Sequence, residues 1–251
     1  MSEQKPKRFL LVFDFDHSLI DENSDEYITK VAPGGVLPEE IKSLYEEDGW
    51  TDYMAEIFKY LHSNGIAPEN ILSCMSEIAL TQGMKELLEF TSTAGCFDHI
   101  VISDSNSVFI EHILENKGLS SVINKVFTNP AEFDNNGCLT IKRYHTQDWC
   151  TLSTVNLCKG RILKTFIENC HSEGTEYMHV IYVGDGYNDL CPSLALRSED
   201  TTMPRLGFKL HKLIGKIMRK NKPVNRSELK ANVVTWETGF DVLKHIQTLI
   251  S

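Results

Sequence analysis

The stretch Phe9-Leu10-Leu11-Val12-Phe13-Asp14-Phe15-Asp16-His17-Ser18 joins an apolar, β-prone run to two closely spaced carboxylates. We predict a strand over residues 8–15, and side chains two positions apart on a strand point to the same face. Asp14 and Asp16 are therefore expected at the carboxyl end of a buried strand, where open α/β sheets bind their ligands. Carboxylates in such a place need a compensating charge, which a bound Mg²⁺ ion would supply. The alternative is that Asp-Phe-Asp only begins a polar loop.

The composition is that of an ordinary globular protein. A chain of 251 residues can bury a substantial core, and 41% hydrophobic with 24% charged residues is typical of soluble proteins. The net charge of −10 argues against nucleic-acid binding as the main activity. Residues 205–226 form one basic segment, but its apolar residues recur at helical spacing. We therefore expect the solvated face of an amphipathic helix there, rather than a polyanion site.

The cysteines and the apolar runs bear on location. The chain has 7 cysteines, an odd number scattered widely, so we expect reduced thiols and a cytoplasmic protein. Residues 1–8 are polar and the apolar run after them is short, so no signal peptide is expected. No segment approaches the roughly 18–20 apolar residues that a membrane span requires.

Strand-like and helical patterns alternate along the chain, which predicts an α/β fold with a parallel sheet and right-handed crossovers. Further strands are expected at 99–103, 125–129, 179–183, 200–203 and 232–236, and a hairpin turn at 134–137. Helices are expected over 108–116, from about 156 to 170, and over 240–250. About 70 residues of helical pattern separate the first two strands, too many for a simple crossover. We interpret 21–96 as a small helical cap inserted into a core of 1–20 and 97–251.

Three predicted strands end in polar clusters, which an open α/β sheet would bring to one crevice. The clusters are Asp14 with Asp16, Ser103 with Asp104, and Asp185 with Asn188 and Asp189. A phosphate site also needs a cation, and Lys159 stands at a predicted helix start, where anions are favoured. Lysines at helix starts are usually solvated, so position alone leaves both interpretations of Lys159 open.

The order of these motifs resembles the haloacid dehalogenase (HAD) superfamily of phosphohydrolases. That family carries D-x-D-x-T/V, a Ser or Thr, a Lys and an acidic G-D-type loop, in this order; here they span residues 14–189. Ser18 replaces the usual Thr or Val and keeps a small side chain. The resemblance implies a HAD-like, Rossmann-like parallel sheet with a small helical cap of the C1 type after the first strand.

The resemblance also implies a mechanism. Asp14 would attack phosphorus and form an aspartyl-phosphate, which divides one hard displacement into two easier ones. Asp16 would protonate the leaving alcohol and then deprotonate water, as general acid and base. Mg²⁺ would be held by the Asp14 carboxylate, the Asp16 backbone carbonyl and Asp185.

The remaining motif residues would bind the phosphoryl group. Ser103 and Lys159 would contact its oxygens and stabilise the charge that develops in the transition state. Asp189 would orient Lys159 without contacting the reacting atoms itself.

A closer resemblance covers nearly the whole chain. Segments 21–25, 58–61, 102–106, 128–130, 156–159 and 182–189 are similar to the PHOSPHO branch of the superfamily. That branch contains phosphoethanolamine/phosphocholine phosphatase and a paralogue that acts as a pyridoxal 5′-phosphate phosphatase, and this chain looks nearer the paralogue.

In that branch, residues matching Asp25 and Asp104 contact the substrate. A carboxylate would complement the positive end of a small phosphomonoester that carries an amine or pyridinium group. The alternatives are that Asp25 only caps a helix and that Asp104 is a turn residue at a strand end.

The loop over residues 145–158, which precedes Lys159, departs from the branch pattern. That pattern has a second histidine where Gln147 stands and one more cysteine. A Zn²⁺ site built from His145, Cys150 and Cys158 would lack a fourth ligand, so none is expected. The departure also puts the usual shape of the loop in question.

The sequence therefore predicts a Mg²⁺-dependent phosphatase of small phosphomonoesters, monomeric or homodimeric, with no nucleic-acid partner. The alternatives are a HAD phosphatase for another small substrate, such as phosphoserine or pyrophosphate, and a non-catalytic phosphometabolite-binding protein. The altered loop is the only support for the last of these.

Overall fold

The computed structural model describes residues 8–46, 48–219 and 229–250. Six parallel strands form one sheet in the order β3-β2-β1-β6-β7-β8, and β4 pairs with β5 as a separate antiparallel hairpin. The strands are β1 Arg8–Phe13, β2 Phe97–Asn106, β3 Lys125–Asn129, β4 Ala131–Phe133, β5 Leu139–Ile141, β6 Tyr177–Gly184, β7 Thr201–Pro204 and β8 Asn232–Val233. The predicted α/β class and parallel sheet are confirmed.

The α-helices cover the sheet and fill the segment between the first two strands. They are α1 Ser24–Tyr27, α2 Glu39–Lys42, α3 Trp50–Ser63, α4 Pro68–Glu77, α5 Met84–Ala94, α6 Ser107–Asn116, α7 Lys159–Ser172, α8 Leu190–Ala195, α9 Lys209–Arg219 and α10 Gly239–Ile250. The predicted helices 108–116 and 240–250 are confirmed, and the helix expected from 156 begins at Lys159.

Strand β1 lies in the middle of the sheet because both of its faces are apolar. Leu11 and Phe13 pack into one buried cluster, while Leu10 and Val12 pack into another on the opposite face. A parallel sheet covered by helices on both sides requires this continuous apolar run. The first strand therefore has neighbours on both edges, β2 and β6.

The first strand is shorter than predicted. It ends at Phe13, and residues Phe15–Leu19 form an irregular turn in which His17 has a φ of 53°. The prediction that the strand reaches residue 15, with Asp14 and Asp16 pointing to one face, was wrong, because the backbone leaves the sheet before the first carboxylate. The two side chains are consequently free to take different partners.

Helices α1 to α5 all lie between β1 and β2, as the long helical pattern predicted. Helix α5 packs against α10 and β2, where Gly239 N–H donates to the Gln82 carbonyl at 2.7 Å. Gly83 and Gly239 allow this contact, since a Cβ on Gly239 would lie 2.4 Å from the Gly83 carbonyl carbon. The division into a core (1–20 and 97–251) and a cap (21–96) stays a proposal, and within it α5 is the helix that joins the two.

The start of α1 bears on the interpretation of Asp25 as a helix cap. Asn23, rather than Asp25, caps α1 by accepting a hydrogen bond from Glu26 N–H at 3.0 Å. At the start of α5, Gly83 has a φ of 82°, a left-handed conformation that favours glycine.

The basic segment forms the predicted amphipathic helix in its described part, with Leu210 and Ile214 buried in α9. Arg205 lies outside that helix and donates to the His17 carbonyl at 2.7 Å. Three cations of the segment, at positions 220, 222 and 226, fall outside the described residues. None of the helices within the described ranges is long and apolar enough to cross a membrane.

Candidate active site

The strand order brings the three polar clusters to one edge of the sheet. Phe13 is in register with Val101 of β2 and with Val183 of β6. Asp14 follows at once, and its N–H donates to the Val183 carbonyl at 2.9 Å. Because β1 lies between β2 and β6, the carboxyl ends of these three strands place Asp14 between the Ser103 cluster and the Asp185 cluster.

Lys159 is completely buried between two carboxylates. Its Nζ lies 2.7 Å from Asp14 Oδ2 and 2.8 Å from Asp189 Oδ1. Burial by itself would lower the pKa of this ammonium, but Asp14 and Asp189 outweigh burial and raise it. The alternative of a solvated lysine was therefore wrong, and the departure in the preceding loop leaves Lys159 at the site.

Asp189 is held by four donors. Besides Lys159, Tyr182 Oη donates to its Oδ1 at 2.7 Å, and the N–H groups of Asp185 and Gly186 donate to Oδ2 at 2.9 and 2.8 Å. Burial would raise the pKa of Asp189, but Lys159 and these donors hold it below its usual range. Asp189 is therefore an anion that keeps Lys159 in position.

The pKa values of Asp14 and Asp185 are raised, in contrast to that of Asp189. Burial and the nearby Asp189 raise the pKa of Asp14 well above its ordinary value, and the same causes raise that of Asp185 to about 7. Carboxylate oxygens of Asp14, Asp185 and Asp189 all lie within 4.8 Å of one another. Buried anions so close together need a cation besides Lys159, and an all-oxygen donor set suits Mg²⁺.

Asp16 is hydrogen-bonded to the first of the inserted helices. Its Oδ1 accepts a hydrogen bond from Ser24 N–H, the first residue of α1, at 2.9 Å. Burial raises the pKa of Asp16 to about 7, against the hydrogen bonds from Ser24. A carboxyl group with a pKa near neutrality can both give and take a proton.

Asp25 is buried, with one oxygen bonded and one unpaired. Trp50 Nε1 donates to its Oδ2 at 2.8 Å, while Oδ1 has no hydrogen-bond partner within the described residues. Burial, Asp16 and Asp104 together raise the pKa of Asp25 well above its usual range. Because Asn23 caps α1, the explanation of Asp25 as a helix cap was wrong.

Asp104 and Ser103 lie at the end of β2. Asp104 Oδ2 accepts from Asn188 Nδ2 at 3.0 Å, and its carbonyl accepts from Asn129 Nδ2 at 2.7 Å. Ser103 is fully buried, and its Oγ accepts from Ser105 N–H at 3.2 Å. Accepting this bond does not use the hydroxyl proton, which can be donated to a phosphoryl oxygen.

The altered loop is ordered by its substituted residue. Gln147 Nε2 donates to the carbonyls of Cys150 and Thr154 at 3.1 and 2.6 Å, and Gln147 Oε1 accepts from Cys150 N–H. Farther along, Asn156 Nδ2 donates to Thr51 Oγ1 of α3 and to Asn129 Oδ1. These bonds fix the chain that leads into Lys159.

Sequence reasoning missed four residues that shape the site: Trp50, Tyr182, Gln147 and Cys191. Trp50 and Tyr182 are donors to Asp25 and Asp189, and aromatic residues of that kind are indistinguishable by pattern from ordinary core. For Gln147, the sequence showed only that it replaces a histidine of the branch pattern. Cys191 lies 33 residues after Cys158, and their sulfurs are 3.8 Å apart.

Comparisons with known proteins identify the family of the chain. A family described as Putative Phosphatase matches residues 9–250. The chain belongs to the putative phosphatase family. Its resemblance to the PHOSPHO branch, inferred from the motifs, is confirmed by the named relatives.

Two named relatives match nearly the whole length of this chain. Pyridoxal phosphate phosphatase PHOSPHO2 of Mus musculus is 40% identical over 244 residues, covering 97% of this chain and 99% of the relative. Phosphoethanolamine/phosphocholine phosphatase of Homo sapiens is 38% identical over 251 residues, covering 100% of this chain and 92% of the relative. The protein is therefore a phosphatase, as the motifs predicted, and not a non-catalytic binding protein.

Solved structures support the fold of this chain. A substrate-bound phosphoserine phosphatase superposes with a TM-score of 0.57 at 19% identity, covering 96% of this chain and 99% of that one. A phospho-aspartyl intermediate analogue of phosphoserine phosphatase gives a TM-score of 0.57 at 18% identity, with coverages of 95% and 99%. At such identities the likeness concerns the fold alone.

Proposed function

We propose that this protein is a Mg²⁺-dependent phosphomonoesterase that hydrolyses small phosphorylated metabolites through an aspartyl-phosphate on Asp14. Its substrates would carry an amine or pyridinium group, as pyridoxal 5′-phosphate, phosphoethanolamine and phosphocholine do. The names of the two relatives support this substrate class. The observation that carries the chemistry is the buried Lys159 ammonium, which joins Asp14 to Asp189.

Asp14 suits the role of nucleophile. Its Oδ1 accepts from Phe15 N–H at 2.6 Å and its Oδ2 faces Lys159, so the carboxylate is fixed in orientation. In the first step, Asp14 forms a bond to phosphorus while the bond from phosphorus to the ester oxygen breaks. Water then attacks the same phosphorus, which frees Asp14 and releases phosphate.

Asp16 suits the proton transfers of both steps. Its Oδ1 is held by Ser24 N–H, while Lys159 pairs with Asp14 and Asp189, so Asp16 can change protonation state without breaking the Lys159 ion pairs. As an acid it would give its proton to the departing ester oxygen. As a base it would then take a proton from the attacking water, which restores the starting state.

The Asp14 and Asp185 carboxylates and the Asp16 backbone carbonyl would hold Mg²⁺. The closeness of the carboxylates of Asp14, Asp185 and Asp189 fits a bound cation. When bound, the ion would neutralise part of the negative charge that the nucleophile and the substrate bring together.

Ser103 and Lys159 would bind the transferring phosphoryl group. The Ser103 hydroxyl proton and the Lys159 ammonium are donors in a buried setting, where they stabilise developing charge more strongly than in water. Asp189 would act through Lys159, because its own oxygens are already occupied by Tyr182 and by backbone N–H groups.

Asp25 and Asp104 would recognise the opposite, positive end of the substrate. An unpaired, buried carboxylate oxygen such as Asp25 Oδ1 is unfavourable until a donor or a cation reaches it. A substrate ammonium or pyridinium would supply one. Asp16 and Asp104 both raise the pKa of Asp25, which supports placing substrate recognition close to the proposed proton transfer.

The test is a phosphate-release assay with the purified full-length protein, with and without Mg²⁺. The substrates are pyridoxal 5′-phosphate, phosphoethanolamine, phosphocholine, phosphoserine and pyrophosphate, and the Asp14→Asn variant is the matched control. We expect Mg²⁺-dependent turnover of one or more of the first three, and its loss in Asp14→Asn with the circular-dichroism spectrum unchanged. Selectivity for pyrophosphate would overturn the recognition argument. A tenth or more of the activity in Asp14→Asn would overturn the nucleophile.

The cytoplasmic location and the monomeric or homodimeric state predicted from the sequence stay predictions. Fractionation of cells that express the protein would determine its location. Light scattering of the purified chain would determine its oligomeric state.

A further inference from the structure

Three cysteine sulfurs lie close together, on residues next to Lys159 and Asp189 in the chain or in the loop that leads to Lys159. Cys150 belongs to the loop before α7, Cys158 is the residue that precedes α7, and Cys191 lies in α8. Cys191 Sγ lies 3.4 Å from Cys150 Sγ and 3.8 Å from Cys158 Sγ, and all three sulfurs lie within 4.8 Å of one another. Cysteines from three separate segments thus converge on one point.

The separations from Cys191, 3.4 and 3.8 Å, are close to the edge length of a metal–thiolate tetrahedron. A Zn–S bond of about 2.3 Å implies neighbouring sulfurs about 3.8 Å apart in tetrahedral geometry. All seven cysteines are free thiols, so the three are not joined by a disulfide. Soft thiolate sulfur favours Zn²⁺ over Mg²⁺, which prefers oxygen.

The surroundings hold each sulfur in place. Gln147 fixes the backbone of Cys150 from both sides. The N–H of Cys158 donates to His145 Nε2 at 2.8 Å, so His145 orients the cluster from outside and is not aimed at it. Cys191 lies against Gly160, where an added Cβ would be 2.5 Å from its sulfur.

We propose that Cys150, Cys158 and Cys191 bind one Zn²⁺ ion as three thiolate ligands with an open fourth position, separate from the carboxylate cluster of the active site. This revises the expectation drawn from the loop sequence, because Cys191 of α8 takes the place of His145 as the third ligand. The three thiols lose three protons on binding, and a water molecule completes the tetrahedron. The site ties the altered loop to α8, and thereby fixes Lys159, next to Cys158, against Asp189, two residues before Cys191. This inference does not depend on the substrate or on the phosphatase mechanism.

The test titrates the full-length protein, reduced and freed of metal with a chelator, with Zn²⁺ against a coloured chelator and separately with Cd²⁺. We expect one equivalent of tightly bound Zn²⁺ that excess Mg²⁺ does not displace, and an ultraviolet cadmium–thiolate band. Cys191→Ser should weaken Zn²⁺ binding by at least about 100-fold, since it removes a ligand. Cys138→Ser, in the β4–β5 hairpin, is the matched control and should bind like the wild type.

Cys150→Ser provides a second variant, because its half-exposed loop position makes misfolding less of a concern than in α8. Circular dichroism checks that each variant is folded. Absence of stoichiometric Zn²⁺ binding, absence of the cadmium–thiolate band, or equal affinity in Cys138→Ser and in both cluster variants would each overturn the proposal. Displacement of Zn²⁺ by Mg²⁺ would also overturn it, since the two ions would then share the carboxylate site.

Discussion

Lys159 Nζ lies 2.7 Å from Asp14 Oδ2, with the lysine side chain fully buried. The pair joins the end of β1 to the start of α7, two elements that are far apart in the chain. A buried ammonium without its carboxylates would be strongly unfavourable, and the same holds for the carboxylates without the ammonium. This ion pair therefore stabilises the fold and also forms part of the proposed phosphoryl site.

Replacing Lys159 with Met should affect stability and activity together. Two buried carboxylates would lose their cation, which we expect to lower the free energy of unfolding by about 3–5 kcal/mol. Loss of a donor to the transition-state charge should lower kcat by about 10²–10³-fold. Urea unfolding and phosphate release under saturating substrate measure the two effects.

Lys164→Met is the matched control, because Lys164 lies on the same helix with its side chain exposed near Glu168. We expect it to change stability by less than about 1 kcal/mol and activity by little. Similar losses in both variants would contradict a specific role for Lys159.

The sequence predicted which strand ends meet, but not how their side chains pair. Asp14, Ser103 and Asp185 follow from the rule that parallel strands present their carboxyl ends at one edge. The burial of Lys159 depends on packing between segments that no local pattern encodes. The different partners of Asp14 and Asp16 follow from the backbone leaving the sheet at Phe13, two residues before the predicted end of the strand.

Removing only the charge of Asp25 should weaken recognition of cationic substrates. Asp25→Asn keeps an oxygen that can accept from Trp50 Nε1, so the local fold should persist. We expect the KM for phosphoethanolamine or phosphocholine to rise at least about 10-fold, since a buried charge pair is lost. The KM for p-nitrophenyl phosphate, which has no positive end, should change little.

The neighbouring Glu26→Gln is the control for charge alone, because Glu26 is exposed. It should leave the KM of both substrates unchanged. If Asp25→Asn raised the KM of both substrates equally, Asp25 would be a structural residue and the recognition argument would fail.

Buried His99 should make stability depend on pH. Burial lowers its pKa to about 4 from 6.5, and its Nε2 lies 2.7 Å from Thr91 Oγ1. The unfolded chain binds this proton more readily, so the stabilisation is complete above pH 6.5 and is lost as pH falls toward 4. Between about pH 7.5 and pH 5, His99 should account for a loss of about 2 kcal/mol in the free energy of unfolding.

Urea unfolding of the wild type and of His99→Gln at both pH values isolates this effect, because the carboxylates titrate alike in both proteins. The variant should show a smaller loss on acidification, whatever its stability at neutral pH. His171→Gln, at an exposed position near the end of α7, should keep the wild-type slope. An unchanged slope in His99→Gln would mean that another group carries the acid sensitivity.

Replacing Gly239 with Ala should separate α5 from α10. The added methyl carbon would lie 2.4–2.5 Å from the Gly83 carbonyl group and Met84 N, and backbone atoms cannot move aside as a flexible side chain would. We expect a loss of about 1–3 kcal/mol in the free energy of unfolding, the usual effect of overpacking. Gly215→Ala in α9 meets only ordinary contact with Arg219 at 3.6 Å, so it should gain about 0.5–1 kcal/mol from helix propensity. Opposite signs in the two variants, measured by thermal or urea unfolding, would attribute the effect to the helix contact; a neutral Gly239→Ala would show that α5 and α10 can move apart without loss.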